Sequence, residues 1–161
     1  MHNALLESGN VTLSFEIKNL QQAEELAKEL AQFYPNSIEF MVGIGELLVN
    51  AIEHGNLEIS HEYKQQLMRE FRWHEEIENR LKHPDFSHRE VKITLVRSVS
   101  EIVLTIVDDG KGFNWQKYIG DKQKTPSLNG RGIAFARASG FDSVEYQGTG
   151  NTVVCVKKLT S

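Results

Sequence analysis

Glu46, Asn50 and His54 recur at four-residue intervals in the run Glu46-Leu47-Leu48-Val49-Asn50-Ala51-Ile52-Glu53-His54-Gly55. On a helix, that spacing puts a carboxylate, a carboxamide and an imidazole on one face. A carboxamide oxygen is a hard neutral ligand, suited to Mg²⁺ held mainly by phosphates and waters. A carboxylate one turn away can accept a proton from an attacking hydroxyl or water. The same three residues also suit a plain solvated helix face, with His54 complementing the C-terminal dipole. Spacing alone leaves both readings open. Gly43 and Gly45 in the helix interior each cost about 1 kcal/mol against alanine, so another element or a ligand must come close to the backbone there.

Two glycine turns join this helix. Ile102, Leu104 and Ile106 alternate along a strand, and Asp108 ends that same inward face. Such a carboxylate can accept a hydrogen bond from an exocyclic amine. Gly110 and Gly112 allow positive φ and let a flat base lie near the backbone; a simple Asp-Gly turn has the same composition. The turn at Gly130-Arg131-Gly132 opens a helix whose first amides can cradle phosphate. It is neither a Walker A loop, lacking the following Lys-Ser/Thr, nor a dinucleotide fingerprint, lacking an immediately preceding strand. Arg131 either touches phosphate or stays solvated. Together the three stretches describe a nucleotide pocket for ATP and Mg²⁺, with Glu46 pointing to phosphoryl transfer.

The elements that must position these residues follow from periodicity. Residues 11–17 alternate as a half-buried strand. Asn19, with Gln22 three residues on, forms a capping box before an amphipathic helix that Pro35 ends. Asn36 or Ser37 caps the second helix, which carries the Glu46 motif and stops at Gly55. A polar, helix-favouring stretch runs from Ser60 to Leu81, followed by strands at 91–96 and 102–107. A polar loop covers 114–129 and a short helix 133–139. A hairpin of 143–147 and 152–158 turns around Gly148-Thr149-Gly150-Asn151. The order predicts an α+β two-layer sandwich, with helices on one face of a mixed sheet.

At 161 residues one domain is expected. A net charge of −4 and a pI near 5.9 give no nucleic-acid footprint. An acidic chain that binds ATP must build its positive field locally, from loop amides, helix N-termini and Mg²⁺. The single cysteine, Cys155, suits a reducing compartment and reads as a buried strand residue. No basic-then-apolar leader and no membrane-length apolar run is visible, so a cytoplasmic protein is expected.

Glu46…Asn50…His54-Gly55 resembles the N-box of the GHKL ATPases, which have the Bergerat ATP-binding fold. Asp108-x-Gly110-x-Gly112 resembles their G1 box, and Gly130-x-Gly132 their G2 box, here ending in Ala134. The form Glu-x₃-Asn-Ala-x₂-His-Gly is most similar to the anti-sigma-factor serine/threonine kinases of bacterial partner switching, as is the segment from Asp142 to Val153. The resemblance implies Glu46 as general base, Asn50 as Mg²⁺ ligand, and Asp108 as adenine reader with Thr152 near the base. It implies that His54, Gly110, Gly112, Gly130, Arg131 and Gly132 shape the nucleotide site, under an ATP lid at 114–129. A helical insertion at about 57–88 exceeds what a compact anti-sigma kinase needs and resembles kinase-like domains beside receiver domains. The implied partners are an anti-anti-sigma-type antagonist protein, with a sigma factor or response regulator as further candidates, in a homodimeric assembly. A nucleotide-gated binding regulator, a histidine-kinase catalytic domain and a plain ATP hydrolase are the competing functions.

Overall fold

The computed structural model describes residues 3–7, 10–112 and 140–160, with backbone alone for 3–7. The expected lid at 114–129, the Gly130-Arg131-Gly132 turn and the helix at 133–139 lie outside the described residues. The elements run β1 Asn3–Glu7, β2 Asn10–Ile17, α1 Leu20–Ala31, α2 Ser37–Asn50, α3 His61–Arg69, α4 Trp73–Lys82, β3 Val91–Arg97, β4 Glu101–Val107, β5 Ser143–Gln147 and β6 Thr152–Lys158. The strands form one sheet in the order β1-β2-β3-β4-β6-β5. Every described pairing is antiparallel, where a mixed sheet was expected. Only two to four residues separate β1 from β2, β3 from β4 and β5 from β6, and links this short permit only antiparallel neighbours for those three pairs.

Alternation decides the layers. Leu13, Leu95, Leu104, Cys155 and Val144 lie in register across five strands, as do Phe15, Ile93, Ile106 and Val153 across four. These residues are buried on one face, and α1 and α2 cover it with Leu26, Leu30, Phe40, Ile44, Leu47 and Leu48. The capping box forms as read: Asn19 Oδ1 accepts from the Gln22 amide at 2.8 Å, and Gln22 Oε1 accepts from the Asn19 amide at 3.4 Å. The close approach expected at Gly45 is not seen: a Cβ there would sit 3.8 Å from Ala27 Cβ of α1, an ordinary packing distance. Tyr34 stacks on Phe40 at 4.2 Å and Phe141 meets both edge-on, which pins the start of the C-terminal hairpin beneath the α1–α2 corner. Burial pushes the Cys155 thiol up to about 12, as befits a core residue. Among the described residues no helix is long and apolar enough to cross a membrane.

The stretch expected as one helix from Ser60 to Leu81 is two. Ser60 Oγ caps α3 by accepting from the Tyr63 amide, and the helix ends in a Schellman turn. There the Arg72 amide donates to the Leu67 carbonyl at 2.9 Å and the Phe71 amide to Met68 at 3.3 Å. Phe71 takes the left-handed position that such turns usually give to glycine, with φ 57°. Its ring is 97% exposed, so packing recovers none of the strain. Left-handed backbone costs an L-residue roughly 1–2 kcal/mol, and glycine gives back about 0.5–1 kcal/mol in entropy. Phe71→Gly should therefore stabilise the fold by up to about 1 kcal/mol, seen as a rise of about 2–4 °C in thermal unfolding. A lower melting temperature would mean that the ring has a packing role.

Candidate functional site

The Glu46 motif begins on α2 and ends in a different kind of turn. From Ala51 to Asn56 the helix widens to π-helical geometry, and the Leu57 amide reaches back five residues to the Ile52 carbonyl at 2.9 Å. Such turns are rare and recur at functional sites. Gly55, expected to stop the helix, lies inside this turn, and its role is contact. A Cβ there would fall within 2.6 and 2.7 Å of the two Asp108 carboxylate oxygens, a separation no side chain tolerates. Gly110 meets the Gly55 carbonyl in the same way, and Gly112, at φ +81°, meets the Thr149 carbonyl. The glycines of the Asp108 turn therefore admit neighbouring backbone, where a base had been expected to need the room.

Asp108 is fixed from several sides. Its amide donates to the Asn151 carbonyl at 2.9 Å, and its Oδ1 accepts from the Gly110 amide at 2.8 Å. Burial raises its carboxyl to about 6; the Gly110 amide pulls the other way and the neighbouring Asp109 adds to the rise. Beside it opens a cavity of about 560 Å³, within the range of small-molecule sites. Leu47, Ala51, Ile106 and Val153 give it an apolar floor, and Asn50, His54, Asp108, Tyr146 and Asn151 supply polar groups.

The structure thus brings Asn50, His54, Asp108 and Gly112 to one cavity, with Gly110 directly behind Asp108. Glu46 is exposed on α2, one turn before Asn50 and outside the cavity wall. Thr152 does not join the site. It pairs with Val107, and strand alternation gives the cavity face to Val153 and Ile106. Gly130, Arg131 and Gly132 lie outside the described residues.

Several residues that the sequence reading passed over stand in or behind the wall. The His54 ring lies tilted against His61 of α3, centroids 3.8 Å apart, and donates to the Ile59 carbonyl through Nδ1. Burial lowers both imidazoles, His61 to about 4 with His54 adding to the effect, so both are neutral at pH 7. Glu53 is fully buried and paired with Lys64 Nζ at 2.6 Å, while its Oε1 has no hydrogen-bond partner among the described residues. Glu58, another wall residue, takes φ 54° and faces Arg89 and Lys111 at 3.4 and 3.7 Å. Asn56 is 2% exposed; its Oδ1 accepts from the Asp109 amide at 2.7 Å, and its Nδ2 has no partner among the described residues. An unpaired buried donor costs about 1–3 kcal/mol, a sign that the acceptor half of this side chain matters. Helix phase already places His54 on the face of Asn50. The other contacts span 11 to 53 residues, which local pattern does not reveal.

The residues present fit a nucleotide with its cation. The cavity joins an apolar floor for a base to an inward carboxylate, and Asn50 offers a neutral oxygen ligand. Among the described residues no three His, Cys, Asp or Glu side chains stand together as a metal nest. A cation beside Asn50 would draw its remaining ligands from phosphate and water, as Mg²⁺ commonly does.

Comparison with known proteins agrees with this geometry. The family described as the histidine kinase-like ATPase domain matches residues 9–157, nearly the whole chain. No curated protein matches it. The chain, with its sandwich fold and its cavity between the end of α2 and the Asp108 turn, belongs to the histidine kinase-like ATPase domain family of the GHKL superfamily.

Proposed function

We propose that this protein binds ATP with Mg²⁺ and transfers the γ-phosphoryl group to a serine or threonine hydroxyl of a small antagonist protein, as an anti-sigma-type kinase of a bacterial partner-switching pathway. ATP binding follows from the family; the transfer is the further step. The observation that carries it is the pairing of Asn50 and Glu46 on α2. One sits in the cavity wall and the other, a turn away on the same face, is exposed. A base that serves a protein substrate must be reachable from outside, whereas a bare nucleotide site needs no carboxylate there. Ile38 and Val42 continue the same four-residue line and are 75% and 40% exposed. That apolar track suits contact with a protein partner.

In this reading ATP supplies the phosphoryl group, and the chain's own residues orient and hold. Asp108 accepts from the adenine amine, Asn50 holds the cation, and Glu46 receives the proton of the attacking hydroxyl. Phosphoryl transfer depends mostly on such positioning and charge.

The Asp108 carboxylate gives a pH signature with a definite sign. Its folded value of about 6 lies above the ordinary 3.8. Between those values the folded state holds a proton that the unfolded state has lost, so stability falls as pH rises through the window. Asp108→Asn has no such proton. Its melting temperature should therefore gain on the wild type between pH 4 and pH 7. Nucleotide works in the opposite sense. An amine donor favours the ionised carboxylate, so wild-type ATP affinity should weaken below about pH 6, with proton release on binding in calorimetry. Asp108→Asn should weaken ATP by about tenfold or more, since one polar contact of this kind is worth about 1–3 kcal/mol. Unchanged ATP affinity in folded Asp108→Asn would remove Asp108 from the role.

Glu46→Gln keeps shape and loses charge. It should retain ATP and protein partner but transfer labelled phosphate to co-purified protein about 10²–10⁴-fold more slowly. Equal transfer rates would exclude Glu46 as base. If the wild type phosphorylates no retained protein, a nucleotide-gated binding regulator becomes the better reading.

A further inference from the structure

Asp108 reads an adenine edge only if its carboxylate is held at one height and angle, and most of what holds it lies outside the three sequence motifs. Asp108 stands at the end of β4, followed by a turn with two glycines. That sequence is free to flex unless something fixes it. Asn151 holds the Asp108 amide from the β5–β6 hairpin side. On the other side, Asn56 Oδ1 accepts from the Asp109 amide at 2.7 Å. Asp109 Oδ2 in turn accepts from the Glu90 amide at 2.9 Å, just before β3.

Asn56 is itself held. Arg89 Nη1 donates to the Asn56 carbonyl at 2.8 Å. The Arg89 guanidinium lies over the Phe86 ring, 5.2 Å from its centroid, and faces the Glu58 carboxylate at 3.4 Å. Its side chain is only 16% exposed. The π-helical turn presents Gly55 and Asn56 to the Asp108 turn as consecutive residues. Gly55 gives the Asp108 carboxylate its seat by having no side chain, and Asn56 fixes the next peptide.

We propose that Asn56 and Arg89 are positioning residues for adenine recognition, a clamp that sets the Asp108 carboxylate against the exocyclic amine of the base. The inference rests on the ATP-binding reading above and extends it to specificity. Neither side chain touches the nucleotide in this account. Asn56 acts through the Asp109 peptide; Arg89 acts through the Asn56 carbonyl, and its charge also favours the ionised form of Asp108.

The test compares ATP with inosine triphosphate, which has the same phosphates and ribose but a carbonyl in place of the 6-amine. Wild type should prefer ATP. Asn56→Leu keeps the branching and number of heavy atoms, removes the amide nitrogen and deletes the acceptor. It should lower the ATP preference at least tenfold by weakening ATP, with inosine triphosphate affinity within about twofold of wild type, each read by calorimetry. Amide hydrogen exchange should speed at Asp109 by at least tenfold, while the central strand amides keep their protection. Arg89→Met keeps the stem on Phe86 and removes the donors, and should shift both readouts the same way by a smaller factor. Should Asn56→Leu fail to fold, Arg89→Met decides alone. Equal weakening of both nucleotides, or an unchanged preference in a folded variant, overturns the clamp and reduces these residues to general structure. A wild type that binds ATP and inosine triphosphate equally overturns the clamp and leaves nucleotide binding standing. A wild type that binds neither overturns both.

Discussion

The close contact of Gly55 with Asp108 is the constraint on which the site depends. It brings the end of α2 against the end of β4 with no side chain between them. Much of the rest follows from that approach. The helix must widen into a π turn to bring residues 55 and 56 together against the strand end. Gly110 must lack a side chain because the Gly55 carbonyl is already there. The cavity opens where the two elements diverge, floored by Leu47 and Ala51 from one and Ile106 from the other. A helix and a strand packed at the usual distance would leave room for side chains and lose the shared wall.

Two carboxylates near this contact are buried in different ways. Glu53 is fully enclosed and answered by Lys64 from α3. Removing the lysine would strand a charge inside the protein, a loss of several kcal/mol in comparable pairs. Among the described residues no cation stands at contact distance from Asp108; the Gly110 amide and, from farther off, Arg89 favour its charged form, and burial outweighs them. The first arrangement fastens the helical insertion to the end of α2, and the contact of the His54 and His61 rings fastens it a second time. The second leaves a carboxylate poised for a donor that arrives with a ligand. Stability and recognition are thus assigned to neighbouring acids by whether the fold supplies the counter-charge.

The sequence was most readable where one local rule acted alone. Alternation located β2, β3, β4 and the final hairpin, and the Asn19–Gln22 capping box formed as spaced. Reading failed where local rules were overridden. Phe71 in a glycine position hid the break between α3 and α4. The four-residue period of α2 ran on through the π turn without any break to mark it. β1 carries no alternation and gains its place by pairing with β2. At the site, helix phase brought Asn50 and His54 to the cavity, but strand parity turned Thr152 to the opposite face. Asn56, Arg89 and Lys64 act across long separations in sequence, where spacing carries no signal.

The strand order has a consequence for how the chain comes into being. β6, which follows β5 in the chain, sits inside the sheet between β4 and β5. Until it inserts, β4 is an open edge with the sequence Glu-Ile-Val-Leu-Thr-Ile-Val, apolar, β-branched and without proline or lysine. Such an edge invites pairing with other chains. On the ribosome that exposure lasts from the completion of β4 until about 50 further residues have been added, at roughly 5–20 residues per second. During those seconds the Asp108 amide also lacks its Asn151 acceptor. The protein therefore passes through a stage in which its most aggregation-prone strand and its unfinished ligand site are the same place. Chaperone engagement during synthesis would protect both at once.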